Sequence, residues 1–135
     1  MSYIPDSLRS LVRERAGERC EYCLIHEDDL FTFHEIDHIF AEKHDGETHE
    51  DNLCLSCFQC NRYKGTDLTS IDPYTREITA LYHPRKDSWD EHFRIDDGHI
   101  IGLTARGRVT VRLLRFNDPD RTILRQSLIA IKRYP

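Results

Sequence analysis

The sequence predicts an α+β domain in which a strand, a loop, a second strand and a helix follow one another and are closed at both ends by metal thiolates. An N-terminal helix is expected before this unit, and a hairpin with helices after it. Three observations carry the prediction. Two C-x2-C pairs, Cys20/Cys23 and Cys57/Cys60, bracket the unit. The stretch between them holds an aromatic and β-branched run and then a short alternating one, the composition of strands. The flanking segments place apolar residues at helical spacing. At 135 residues, with 39% apolar and 32% charged side chains, the chain has the size of one domain, taken as residues 1–135, and enough apolar matter for a modest core.

The first helix is expected over Ser7 to Ala16. Leu8, Leu11, Val12 and Arg15 fall at i, i+3, i+4 and i+7, and Gly17 stops it. The first knuckle, Cys20-x2-Cys23, follows. No run approaches the ~20 apolar residues of a membrane helix, and Met1-Ser2-Tyr3-Ile4-Pro5-Asp6 has neither a basic leader nor an apolar stretch, so a cytoplasmic protein with no membrane partner is expected. In a reducing compartment paired C-x2-C motifs point to thiolate metal ligands rather than disulfides. Cys20, Cys23, Cys57 and Cys60 supply the four soft donors of a closed tetrahedral structural zinc site. Cys54 in place of Cys57 is the alternative ligand set, and redox pairing is the alternative chemistry.

Between the knuckles lie 33 residues, more than the ~15–20 of a common four-cysteine finger. Phe31 to Phe40 is the first strand candidate. His44 to Asp51 is a polar loop, Asn52 to Ser56 alternates as a second strand, and Phe58 to Lys64 suits a helix that Gly65 ends.

Downstream, residues 66–92 show no clear period and are expected to be mainly loop, with a short element near Glu77 to Tyr82. Asp97-Gly98 marks a hairpin between His92–Ile95 and His99–Leu103. Thr104 is a cap for a helix to about Phe116. Asn117-Asp118-Pro119 breaks it, and a last helix runs to about Arg133. Leu113, Phe116, Ile123, Leu124, Leu128 and Ile131 are the expected apolar faces of this 92–135 extension.

The net charge of −5 argues against nucleic acid until it is divided along the chain. Residues 1–103 hold 11 Lys/Arg against 22 Asp/Glu, whereas residues 104–135 hold 8 against 2. Such asymmetry points to phosphate contact by Arg106, Arg108, Arg112 and Arg115, or else to a solvated helix face.

The succession Cys20-x2-Cys23, Glu35-Ile36-Asp37-His38-Ile39, Glu50-Asp51-Asn52-Leu53 and Cys57-x2-Cys60-Asn61-x2-Lys64-Gly65 resembles the HNH endonuclease family and its ββα-metal fold. The likeness covers residues 20–65. The final His of the family name is Asn61 here, a harder oxygen donor that favours Mg²⁺ or Mn²⁺ as catalytic ion. The resemblance implies an enzyme that hydrolyses DNA phosphodiester bonds. Asp37 and Asn61 would hold the ion, and His38 would act as general base, a task suited to a group whose ordinary pKa is about 6.5. Asn52 would fix the loop that orients His38. Lys64 would touch a phosphate or sit in solvent. Glu35 would assist as an outer group or extra ligand, and His34, His44 and His49 are expected at the surface. A non-catalytic zinc-dependent DNA-binding module and an RNA-directed nuclease are the alternatives.

Overall fold

The structure, a computed structural model, describes residues 3–135. Helix α1 (Asp6–Ala16) has Asp6 in its first turn and Arg13 and Arg15 in its last, charges that complement the helix dipole, and it ends at Gly17. Its inner face is Leu8, Val12 and Ala16, packed with Ile4, Ile36, Leu53 and Leu55 into a small core. Leu11, expected on that face, is exposed instead. Arg15 faces the sheet and donates to the Leu53 carbonyl, which ties α1 to the second strand.

Strands β1 (Glu35–His38) and β2 (Leu53–Ser56) pair antiparallel, with Asp37 opposite Cys54 and His38 opposite Leu53. The pairing is shorter than the expected run from Phe31 to Phe40 because β2 offers only four residues. Before it, a single 3-10 turn at Glu27–Asp29 and the Glu27 carboxylate, which accepts from the His34 amide at 2.7 Å, direct the chain away from a sheet. Phe31 and Phe33 consequently lie in solvent. Helix α2 (Phe58–Lys64) starts at Cys57, whose sulfur accepts from the Cys60 amide, and stops at Gly65.

The short element expected near Glu77 to Tyr82 is a strand, and it pairs with a second one that the expected loop had not included. They form a hairpin of β3 (Thr69–Ile71) and β4 (Ile78–Ala80). Its turn is organised by Asp72, which accepts from the Tyr74 and Thr75 amides and forms a two-pronged pair with Arg108 at 3.0 and 2.9 Å. One turn of helix, α3 (Trp89–His92), leads into β5 (Phe93–Asp96) and β6 (His99–Gly102). The two turn residues, Asp97 and Gly98, have φ of 49° and 80°, the geometry of a primed hairpin turn. Gly98 answers a second demand, since a Cβ there would come within 2.6 Å of Gln126 Cγ and 3.0 Å of the Thr122 carbonyl.

Helix α4 (Ala105–Leu113) is capped by Thr104, which accepts from the Gly107 amide. Helix α5 (Pro119–Ala130) begins on proline and stops short of the expected Arg133. Its buried face is Arg121, Thr122, Arg125 and Leu128, while Ile123 and Ile131, expected inside, are exposed. Arg125 uses its charge locally, donating to the Gly98 and Phe116 carbonyls at 2.6 Å each. The main core joins Tyr22, Tyr82, Phe93, Ile100, Leu114, Phe116, Leu128 and Tyr134 to the four knuckle cysteines. Tyr82 meets Phe93 edge-on at 5.2 Å between ring centres.

Candidate functional site

The four sulfurs of Cys20, Cys23, Cys57 and Cys60 lie within 4.8 Å of one another, and all four residues are buried. Cys23 Sγ and Cys57 Sγ are 3.8 Å apart. That is about the edge of a tetrahedron with ~2.3 Å metal–sulfur bonds. Each knuckle turns one amide onto its leading sulfur, Cys23 N to Cys20 Sγ and Cys60 N to Cys57 Sγ, both at 3.4 Å. Thiols this close titrate against one another: Cys20 and Cys57 draw the Cys23 thiol well down, whereas Cys20 and Cys23 push Cys57 up. A soft divalent cation resolves the conflict by taking all four as thiolates, so the donor set fits zinc. Cys54 lies outside the cluster and donates to the Tyr22 hydroxyl at 3.7 Å.

Residues far along the chain seal this centre. Arg121 Nη2 donates to Cys60 Sγ at 3.1 Å and Cys57 Sγ at 3.8 Å, and its Nη1 donates to the Leu114 carbonyl at 2.8 Å. The Tyr134 hydroxyl donates to the Cys23 carbonyl at 2.7 Å, and Trp89 Nε1 to the Tyr22 carbonyl at 2.9 Å.

Beside it, the end of β1 sends its side chains two ways. Glu35 and Asp37 face α2. Asn61 Nδ2 donates to the Glu35 carboxylate, and Lys64 Nζ donates to Asp37 Oδ2 at 3.1 Å and to the His38 carbonyl at 3.3 Å. Burial pushes the Asp37 carboxyl above the usual carboxylate range, against the pull of Lys64. Lys64 is only 2% exposed, which removes the expected solvated lysine.

His38 faces the loop between the strands. Its Nε2 is 2.9 Å from Thr48 Oγ1 and 3.6 Å from Glu42 Oε1. That loop is clamped by Asn52, whose Oδ1 accepts from the Phe40 amide and whose Nδ2 donates to the Phe40 and Glu47 carbonyls, all within 2.9 Å. Gly46 is obligatory here because a Cβ would fall 1.7 Å from the Phe40 carbonyl oxygen.

Asp37 and Asn61 are thus on one face but hold different partners. Among the described residues the thiolates are the only group of three or more His, Cys, Asp or Glu close enough to hold an ion. A hard ion bound by Asp37 and Asn61 would complete its shell with water and substrate oxygens, the habit of Mg²⁺.

The basic extension is mostly committed elsewhere. Arg108 serves Asp72, Arg106 pairs with Asp87 at 2.8 Å, and Arg121 and Arg125 are buried. Arg112 and Arg115 are exposed, and Arg115 lies 4.8 Å above the Tyr63 ring. His34, expected at the surface, is buried with Nε2 2.9 Å from the Ile25 carbonyl. Arg121 and Thr48 escaped the sequence analysis. Thr48 has no local signal. Arg121 does, because it shares the i, i+3, i+4, i+7 stripe with Leu124, Arg125 and Leu128.

A two-stranded ribbon and a short helix closed by four cysteines placed to hold a metal ion, with a carboxylate, an imidazole and a carboxamide at the junction, define a ββα unit. Residues 20–67 match the family model of the HNH endonucleases, about a third of the chain. The chain is also similar to the Septu protein PtuB of Bacillus thuringiensis, with 26% identity over 125 residues. That match covers 88% of this chain and 44% of the relative, so the chain spans less than half the relative's length. No solved structure matches. No helix among the described residues is long and apolar enough to cross a membrane.

Proposed function

We propose that the chain is a metal-dependent endonuclease that hydrolyses DNA phosphodiester bonds. The observation that supports this best is the division of labour at the end of β1, where Asp37 turns to α2 and its neighbour His38 turns to the clamped loop. A strand places adjacent side chains on opposite faces, so one short segment serves two tasks. Asp37 and Asn61 are the oxygen donors that would hold Mg²⁺ or Mn²⁺; when bound, such an ion stabilises charge on the phosphate and the departing oxygen. His38 takes the proton of the attacking water. The hydroxyl of Thr48 and the carboxylate of Glu42 fix its ring, and Asn52 fixes the loop that carries Thr48. The thiolate site acts as structure, since four protein ligands leave no open position for substrate.

Nucleic-acid contact falls to Arg112 and Arg115, the exposed arginines of the extension without a carboxylate partner among the described residues. The test is plasmid cleavage by the zinc-loaded protein with Mg²⁺, Mn²⁺, Ni²⁺ or EDTA, wild type beside His38→Ala. Cleavage should require Mg²⁺ or Mn²⁺, and the variant should lose ~10²–10⁴ in rate with zinc content unchanged. Single-stranded RNA in parallel reactions separates the RNA-directed alternative. Binding without cleavage in every ion would make the chain a zinc-dependent DNA-binding module.

A further inference from the structure

Lys64 is a buried charge for which neither solvent nor substrate accounts. Lysine is almost never fully buried unless paired, and the pair here is with the carboxylate that the nuclease reading assigns to the catalytic ion. Its second acceptor, the His38 carbonyl, belongs to the residue assigned as base. The ammonium therefore occupies the junction between ligand and base, from the last residue of α2. Beyond it Gly65 ends the helix, its amide donating to the Asn61 carbonyl at 2.9 Å.

An ammonium and a hard divalent ion seek the same thing from Asp37, an anionic oxygen. Two cations a few ångströms apart, screened by little water, repel strongly. Without any cation, Asp37 would be a buried unpaired carboxylate, a costly state. We propose that Lys64 is a built-in competitor for the catalytic ion: its ammonium holds Asp37 in place while the ion is absent and gives up that oxygen when the ion binds. The inference rests on the assignment of Asp37 as an ion ligand. Its consequence is an ion affinity deliberately lower than the ligands alone would give, with the strand end already ordered before the ion arrives. Lys64 is a positioning residue on this view.

The measurement is Mn²⁺ affinity of the zinc-loaded protein, by calorimetry or by the loss of the free-ion paramagnetic resonance signal, for wild type, Lys64→Met and Lys64→Arg. Methionine keeps the length of the stem and removes the charge, so its Mn²⁺ dissociation constant should fall by about tenfold or more, while arginine stays at or above wild type. Equal or weaker binding by Lys64→Met, with zinc and helix content intact, would overturn the competitor role and leave the ion assignment standing. No Mn²⁺ binding by either wild type or Lys64→Met would overturn both.

A second measurement needs no variant and decides the matter if Lys64→Met does not hold zinc. In the ion-free wild type the Lys64 ammonium protons should be protected from exchange with water, as seen by nitrogen-15 resonance, and Mg²⁺ should abolish that protection as it titrates the site. Protection that persists through saturation would refute the displacement.

Discussion

Replacing Arg121 by leucine takes one cation out of the wall of the thiolate centre while leaving most of the side-chain volume in place. A Zn²⁺ bound by four thiolates retains about two negative charges. Arg121 is the guanidinium that answers them, with donors on Cys60 and Cys57 and a second set on the Leu114 and Arg115 carbonyls. Burial alone would lower the Arg121 pKa, yet Cys60, Cys23 and Cys57 together hold it well above its ordinary value. Hydrogen bonds to charged groups are worth ~1.5–3 kcal/mol. Removing one member of a buried charge pair costs about 3–5 kcal/mol in all. If the sulfur contacts carry ~1.5–3 kcal/mol of this, zinc should bind roughly 10–150-fold more weakly at ~1.4 kcal/mol per decade. The whole loss should lower the melting temperature of the zinc-loaded protein by on the order of 10 °C. Zinc transfer to a chromophoric chelator at graded concentrations reads the first quantity, and calorimetric melting the second. Arg121→Lys should fall between, because an ammonium cannot span carbonyl and sulfur as the planar fork does. Wild-type zinc retention in Arg121→Leu would refute the reasoning and assign the stability of the site to the knuckle amides alone.

Other outcomes follow from the charges outside the centre. Exchanging Arg112 and Arg115 together for alanine should weaken binding to unrelated DNA sequences alike and reduce the slope of log affinity against log salt by ~1.8, two phosphate contacts at ~0.9 each; an unaltered slope would return both to a solvated face. The Arg108 guanidinium, with the Tyr74 and Thr75 amides, holds the Asp72 carboxyl well below the usual carboxylate range. A depressed folded-state pKa gives stability that is complete above the unfolded value of about 4 and is lost as the pH falls below it. Asp72→Asn should therefore be less stable at neutral pH and lose less on acidification, read as denaturant midpoints across a pH series; parallel curves for the two proteins would count against the pair.

Legibility in the sequence followed how local the cause was. The knuckles, α2, the Asp97-Gly98 turn and the Pro119 start are each set by neighbours within a few positions, and they appear where composition put them. The element near Glu77 to Tyr82 showed, but its partner β3 did not, because Thr69-Ser70-Ile71 is a polar strand beside a turn held by a carboxylate whose partner is Arg108, 36 positions away. The basic extension misled for a similar reason. A count of charges cannot distinguish Arg112, in solvent, from Arg121, whose charge is spent on sulfur. At the candidate site the motif named Asp37, His38, Asn52 and Asn61, while the pairing of Asp37 with Lys64 and of Asn61 with Glu35 depends on how α2 lies over β1, which no spacing encodes.

The seal that Tyr134, Trp89 and Arg121 place over the knuckles sets a timetable for the newborn chain. Cys60 leaves the ribosome long before Tyr134, whose hydroxyl closes over Cys23 across 111 positions. At ~5–20 residues per second the interval is on the order of several seconds. During it the four thiols exist without their arginine and without their tyrosine lid, open to any soft metal and to oxidants. Loading with the right metal in the cell is thus a contest between ion delivery and elongation, and slow synthesis of residues 61–134 prolongs the exposure.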